Sequence, residues 1–193
     1  MIVGIIRHGE TDWNRIGKMQ GRLDIPLNEN GIRQAEKCGQ AVKGIRWGAV
    51  ITSPLSRAME TARIVARLAD IPRLEADSAL MERDYGEASG LTREERAERF
   101  PSGTCPGMES CEDMADRMME SLQRNAARFS PENIILVSHG AAIAVLLARL
   151  AENDPEWRCP ELKNIGVTLL SWESGEIRVI GCDLSPEHIG ALI

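Results

Sequence analysis

An α/β fold whose ligand site lies along one edge of its sheet is predicted by three junctions in this 193-residue sequence. At each, a short run of aliphatic and β-branched residues stops where polar and charged groups begin. Met1–Ile6 gives way to Arg7-His8-Gly9-Glu10-Thr11, Ala49–Ile51 to Ser53-Pro54-Leu55-Ser56-Arg57, and Ile134–Val137 to Ser138-His139-Gly140. Open α/β sheets bind ligands outside the carboxyl ends of their strands, so these junctions deliver two histidines and two arginines to one edge. Gly9 and Gly140, each following a histidine, are expected to let backbone approach a ligand closely.

The elements follow in order. Met1–Ile6 reads as a buried strand. From Asn28 to Lys43, Ile32, Ala35, Cys38 and Val42 recur at helical spacing. After the strand around Ala49–Ile51, Ser53 is expected to cap and Pro54 to open a helix running to Leu68, with Leu55, Ala58, Ala62 and Val65 on its apolar face and Arg57 in its first turn. Both helices should lie on the sheet. Ser110 to Phe129 carries the stripe Ala115, Met118, Leu122, Ala126 and Phe129, its methionines reading as core filler. The strand Ile134–Val137 leads into the helix Ala141–Leu150, and Val167–Trp172 with Ile177–Cys182, joined by Glu173-Ser174-Gly175-Glu176, reads as a terminal β-hairpin. No repeat or linker interrupts the chain, so 1–193 is expected to be one domain, with Tyr85 to Gly107 as a lid-like insert.

Composition narrows the classes of function. At 43% hydrophobic residues, a chain of this size buries roughly 70% of its unfolded surface without staples. A net charge of −6 and no basic stripe with interleaved aromatics argue against nucleic acid. The longest clean apolar run, Ala141–Ala148, is too short to span a bilayer, so no membrane partner is expected. Five cysteines (Cys38, Cys105, Cys111, Cys159, Cys182) with no C-x-x-C pair favour reduced thiols in a cytoplasmic protein, and no Cys105–Cys111 bond is expected. The N-terminus is already strand and motif, so no signal peptide is expected. Three histidines, two of them in the junctions, leave no metal-ligand cluster, and the expected cofactor is none.

Taken singly, Arg7-His8 reads as a solvated strand end and His139 as a satisfied core histidine. Together with their neighbours they resemble the histidine phosphatase superfamily, whose best-known branch is the cofactor-dependent phosphoglycerate mutases. The resemblance runs from about Ile2 to His188. It is carried by Arg7-His8-Gly9-Glu10-Thr11 with Asn14, Gln20-Gly21, Pro26-Leu27-Asn28 leading to Gly31 and Gln34-Ala35, and Ser53-Pro54-Leu55 with Arg57-Ala58 and Thr61-Ala62. Glu82 with Gly86 and Gly90, Pro106-Gly107 with Glu109-Ser110, and Ser138-His139-Gly140 complete it. It implies a three-layer α/β sandwich, a mostly parallel central sheet with helices on both faces.

The same residues suit phosphoryl transfer on chemical grounds. An imidazole with a pKa of about 6.5 is largely neutral at pH 7 and has a nitrogen free to attack phosphorus. The transition state spreads charge over three equatorial oxygens and needs placed cations and donors, which Arg7, Arg57 and His139 supply. The two arginines also depress the pKa of His8. The resemblance implies that His8 becomes a phosphohistidine, that Asn14 is a further donor in the phosphate pocket, and that Gln20 and Gly21 contribute to substrate binding. It selects Glu82 as the proton donor and acceptor; spacing alone leaves Glu87, Glu94 and Glu95 open.

Within the superfamily, mutases are longer. They carry an adjacent Arg-Arg pair and a lysine after the second glycine of the acid segment. Here Gly90-Leu91 is followed by Thr92-Arg93, no Arg-Arg dipeptide occurs, and the frequent Pro-Gly-Gly-Glu-Ser becomes Pro106-Gly107-Met108-Glu109-Ser110. The departures favour a metal-independent phosphomonoesterase over a mutase. An inactive member serving as a binding scaffold needs a missing part, whereas Arg7, His8, Arg57, Glu82 and His139 are all present. Short members act on sugar phosphates, phosphorylated acids, cobalamin precursors or phosphoproteins. The basic residues of the insert favour a small-molecule anionic phosphate monoester, and the pattern sets no oligomeric state. The insert itself reads either as a lid or as a solvated helical excursion, Thr92 to Phe100; the resemblance implies that it contributes to the pocket.

Overall fold

A computed structural model describes residues 1–151 and 162–192; Cys159, expected as a reduced thiol, lies outside them. The strands are β1 (Ile2–Arg7), β2 (Trp47–Thr52), β3 (Leu74–Ala76), β4 (Asn133–Ser138), β5 (Val167–Glu173) and β6 (Glu176–Leu184). The helices are α1 (Asp12–Arg15), α2 (Glu29–Val42), α3 (Ser56–Leu68), α4 (Arg93–Arg99), α5 (Cys111–Phe129) and α6 (Gly140–Leu150). The six strands form one sheet in the order β3-β2-β4-β1-β5-β6. β1 to β4 are parallel, while β5 runs antiparallel to β1 and pairs with β6 as a hairpin.

The central strands of the sheet are buried on both faces because they alternate between two cores. In β4, Ile134 and Leu136 pack with Met114, Met118, Leu122, Ile143 and Leu146 of α5 and α6. Ile135 and Val137 face the other way, into Ala35, Cys38, Ala58, Ala62 and Val65 of α2 and α3. This is the period-two readout of a near-continuous apolar run covered on both sides, and it yields the expected three layers. Truncating Leu122 or Leu136 to alanine would cost about 2–5 kcal/mol through lost burial and a cavity.

Several expectations shift on inspection. Ile32, placed on the apolar stripe of α2, is 39% exposed; the buried face runs instead through Gly31, Ala35, Cys38, Gly39 and Val42. Gly39 lets α2 sit close to α3, since a Cβ there would meet Leu68 Cβ at 2.9 Å. The helix expected from Pro54 begins at Ser56, with Leu55 at its cap position. The hairpin turn contracts to Ser174-Gly175, both at positive φ, which suits the right-handed twist of the flanking strands. β3, exposed and three residues long, was not expected. Among the described residues no helix is long and apolar enough to cross a membrane.

The topology opens a crevice at one place. The chain leaving β1 enters α2 on one face of the sheet, and the chain leaving β4 enters α6 on the other. β1 and β4 are neighbours, paired through Arg7 and Ser138. Their carboxyl ends are therefore a topological switch point, the position where such sheets bind ligands.

Candidate active site

His8 follows the last residue of β1, and its backbone continues the ladder by donating to the Ser138 carbonyl at 3.0 Å. Its ring is 2% exposed, and Nδ1 lies 2.7 Å from the Gly9 carbonyl oxygen. A carbonyl only accepts, so Nδ1 carries the hydrogen and the lone pair of the neutral ring sits on Nε2. His139 follows β4, is fully buried, and places its ring 5.1 Å from that of His8, centroid to centroid. Its Nε2 lies 2.8 Å from Ser53 Oγ. Ser53 Oγ also accepts the Leu55 amide at 3.3 Å, so one hydroxyl serves both the turn before α3 and the imidazole.

Arg57 comes from the first turn of α3 and is fully buried. Its Nη1 donates to the Leu23 carbonyl at 2.9 Å and Nη2 to the Gly21 carbonyl at 2.8 Å. Gly21, expected at the substrate, thus serves by holding Arg57. Arg7 ends β1, donates through Nη1 to the Leu162 carbonyl, and lies flat against Gly140, where a Cβ would meet its Cζ at 3.4 Å.

Both histidines are held well below the ordinary imidazole pKa. For His8 the largest cause is burial, followed by the positive charges of Arg57 and Arg7; for His139 it is again burial, then Arg57, His8 and Arg7. The arginines act as expected but rank behind desolvation. Burial also brings the Arg57 guanidinium down to about 10, against the raising influence of Glu82 and Asp24.

Glu82 is 8% exposed and sits over the start of α6. Its Oε1 accepts from the amides of Arg83 at 2.9 Å and Ala142 at 3.1 Å, and its Oε2 from Ala141 at 3.3 Å. A carboxylate placed on free helix N–H groups satisfies donors that no side-chain cap supplies there, since His139 occupies the cap position without a capping bond. Asn14 closes a capping box with Thr11. Its Oδ1 receives the Thr11 amide at 3.1 Å, which leaves the Nδ2 end for the cleft.

Arg7, His8, Asn14, Gln20, Arg57 and Glu82 all line one cleft of about 1300 Å³. His139 is not among the lining residues; its ring packs against that of His8, with Nδ1 buried and without a hydrogen-bond partner among the described residues. Lys18, Arg83, Arg93, Arg96 and Lys163 add positive charge to the walls, against Glu82 and Glu94, so the cleft is cationic in a protein of net charge −6. Glu87 and Glu95 are not among the lining residues, and Glu95 is used in the capping box of α4.

The glycines play a different part from the one expected. A Cβ on Gly9 would lie 2.5 Å from the Gly31 carbonyl oxygen, and one on Gly31 would collide with the Glu10 backbone. Backbone meets backbone here, fixing the loop after His8 against α2. Thr61, Gln34 and Asn28 secure the same loop through Gly9 N, Glu10 N and the Glu10 carboxylate.

Sequence reasoning missed Asn164. Its Nδ2 donates to the His8 carbonyl at 2.8 Å and lies 3.4 Å from Asn14 Oδ1. The neighbouring Ile165 donates its amide to the Arg7 carbonyl at 3.0 Å and holds φ at 62°, the left-handed region that a β-branched residue enters only under constraint. The available signal was the polar run Lys163-Asn164 before an apolar strand. Because β5 is antiparallel, its beginning lies beside the end of β1. Among the described residues no group of three His, Cys, Asp or Glu side chains is placed to hold a metal ion.

A buried imidazole beside two guanidinium groups at a sheet switch point has the chemistry to receive a phosphoryl group. The chain belongs to the histidine phosphatase superfamily (branch 1), whose family model matches residues 3–183. It is 40% identical over 191 residues to PhoE, an uncharacterized phosphatase of Bacillus subtilis, covering 99% of this chain and 98% of that one. It is 32% identical over 170 residues to the 2,3-bisphosphoglycerate-dependent phosphoglycerate mutase 2 of Gloeobacter violaceus, covering 79% and 76%. Its fold matches a mutant phosphoserine phosphatase of Entamoeba histolytica in complex with phosphoserine, with TM-score 0.81, 29% identity and coverage of 97% and 98%.

Proposed function

We propose that this protein is a metal-independent phosphomonoesterase that hydrolyses a small anionic phosphate ester through a phosphohistidine on His8. The observation that carries the reading is the contact of His8 Nδ1 with the Gly9 carbonyl at 2.7 Å, which assigns the hydrogen to Nδ1, while burial and two arginines favour an unprotonated Nε2. In the first step the Nε2 lone pair forms a bond to phosphorus as the bond to the ester oxygen breaks. Arg7, Arg57, His139 and the Nδ2 of Asn14 take the charge of the equatorial oxygens.

Glu82 gives its proton to the leaving alkoxide. Oε2, which accepts only the longer bond from Ala141, is the oxygen with room to carry that proton. In the second step Glu82 takes a proton from water, whose oxygen bonds to phosphorus as the N–P bond breaks and inorganic phosphate leaves. The cationic wall formed by Lys18, Arg93 and Lys163 favours substrates with negative charge beyond the phosphoryl group. The relatives point the same way, one being solved with phosphoserine. Segment 85–107 is read as a lid-like insert of a single domain, and five cysteines without a C-x-x-C pair support residence in the cytoplasm.

The test is phosphorus NMR with 3-phosphoglycerate, a trace of 2,3-bisphosphoglycerate and EDTA, beside an aryl phosphate and phosphoserine. Inorganic phosphate released without isomerisation, with an acid-labile, alkali-stable label on the wild type that is absent from His8→Ala, is the expected result. Rapid conversion of 3- to 2-phosphoglycerate with little free phosphate would replace the reading with a mutase.

A further inference from the structure

Arg117, on α5 and away from the reacting groups, has all five of its N–H donors engaged. Nε and Nη2 fork onto the Glu109 carboxylate at 2.7 and 2.8 Å. Nη1 donates to the carbonyls of Ala79 at 2.6 Å and Met81 at 2.7 Å, and the second Nη2 hydrogen reaches the Glu82 carbonyl at 3.2 Å. Three carbonyls within four residues, ending at Glu82 itself, thus converge on one guanidinium. We propose that Arg117, oriented by Glu109, is the positioning residue that fixes Glu82 over the cleft; the proposal rests on the reading of Glu82 as the proton donor.

The rest of the geometry supports the assignment. Segment 79–82 is a short turn (Ser78–Leu80) followed by extended chain, with no ladder to hold it at Glu82. The carboxyl group of Glu82 is tied to α6, and its backbone to α5 through Arg117, so the residue is held from two elements. The same clamp closes the base of the insert: Glu109 accepts the Asp84 amide through Oε2 at 3.3 Å and donates its own amide to the Asp84 carbonyl at 2.8 Å. Although burial opposes it, the Arg117 fork and charge hold the Glu109 carboxyl below its ordinary range, which keeps the fork ionic. A lysine at 117 has three donors and no planar fork, so it cannot hold the carboxylate and three carbonyls at once.

A proton donor displaced by a fraction of an ångström loses transition-state contact while substrate binding survives. The experiment is rapid-quench measurement of His8 phosphorylation in wild type, Arg117→Lys, Glu82→Gln and their double variant, with an alkyl phosphate and with p-nitrophenyl phosphate, whose leaving group departs without a proton. Arg117→Lys is expected to slow phosphorylation by the alkyl ester about 10- to 100-fold, part of the 10²–10⁴ that a general acid supplies. It should leave the aryl ester and KM within about threefold, and add little to the loss in Glu82→Gln. Glu109→Gln, which keeps the three carbonyl contacts and weakens the fork, should show the same split at smaller amplitude and serves if Arg117→Lys does not fold. Equal slowing on both esters, or full additivity with Glu82→Gln, would reduce the pair to a structural staple. A Glu82→Gln enzyme with no alkyl–aryl split would overturn the acid assignment itself, and the positioning role with it.

Discussion

The pocket around His8 and the insert above it are built by opposite means. Arg57 and His139 are fully buried, His8 nearly so, and they are set by strand ends and a helix start within the sheet sandwich. In the insert, α4 has seven residues and buries none of them. It is held by its own capping box, by backbone bonds between Met19 and residues Gly90 and Leu91, and by exposed pairs such as Arg99–Glu87. The groups proposed to meet phosphorus are placed by the most heavily packed part of the chain. Arg93 and Arg96, which line the outer cleft, stand on a segment that can change without disturbing the core.

The sharpest break in that comparison comes from His8→Ala, which should lower turnover by about 10⁴-fold or more and abolish the covalent label. Arg57→Lys comes next. It removes the fork and leaves the Gly21 and Leu23 carbonyls short of donors, so kcat/KM should fall about 10²-fold and urea unfolding should show a loss of roughly 1–3 kcal/mol.

Acid should expose the same difference. His8 and His139 are kept neutral in the folded chain by burial and regain ordinary proton affinity when it unfolds. Below about pH 6.5 the unfolded chain binds more protons, so stability is complete above that pH and falls beneath it by up to about 1.4 kcal/mol per pH unit for each ring. Melting curves from pH 7 to 5 should record the decline; a flat profile would mean that the rings are not desolvated. Gly31→Ala forces a Cβ into the Glu10 backbone and should cost about 1–3 kcal/mol in denaturant. The smallest effect belongs to the insert: removing the exposed Arg99–Glu87 pair with Arg99→Ala should change stability by no more than about 0.5 kcal/mol.

The sheet and its two covering layers were legible because they follow periodic apolar patterns, and the convergence of Arg7, His8, Arg57 and His139 because they stand at strand-to-helix junctions; Asn14 and Glu82 were marked only by the family resemblance. Other features carry no such mark. Ser53 reads as a helix cap, yet it stands two residues before the cap position at Leu55, and its hydroxyl is shared between the Leu55 amide and His139. Ile32 fits the spacing of α2, yet the close approach of α3 favours the glycine face. Asn164 carries no junction mark because it precedes the start of an antiparallel strand rather than following the end of a parallel one. Arg117 is invisible for a different reason: its targets are backbone carbonyls 35 to 38 residues away, and every residue owns a carbonyl.

The pairing of Arg7 with Ser138 gives the two histidines a shared fate. Each is the residue immediately beyond its strand, and the amide of His8 bonds to the carbonyl just ahead of His139. β1 and β4 occupy the middle of the sheet, with β2 and β5 outside them. Amides in such strands exchange with solvent only through near-global opening, so fraying of edges or loops leaves the distance between the two imidazoles untouched. The spacing of the two imidazoles therefore shares the stability of the centre of the sheet, whereas the insert, whose helix α4 buries no residue, does not.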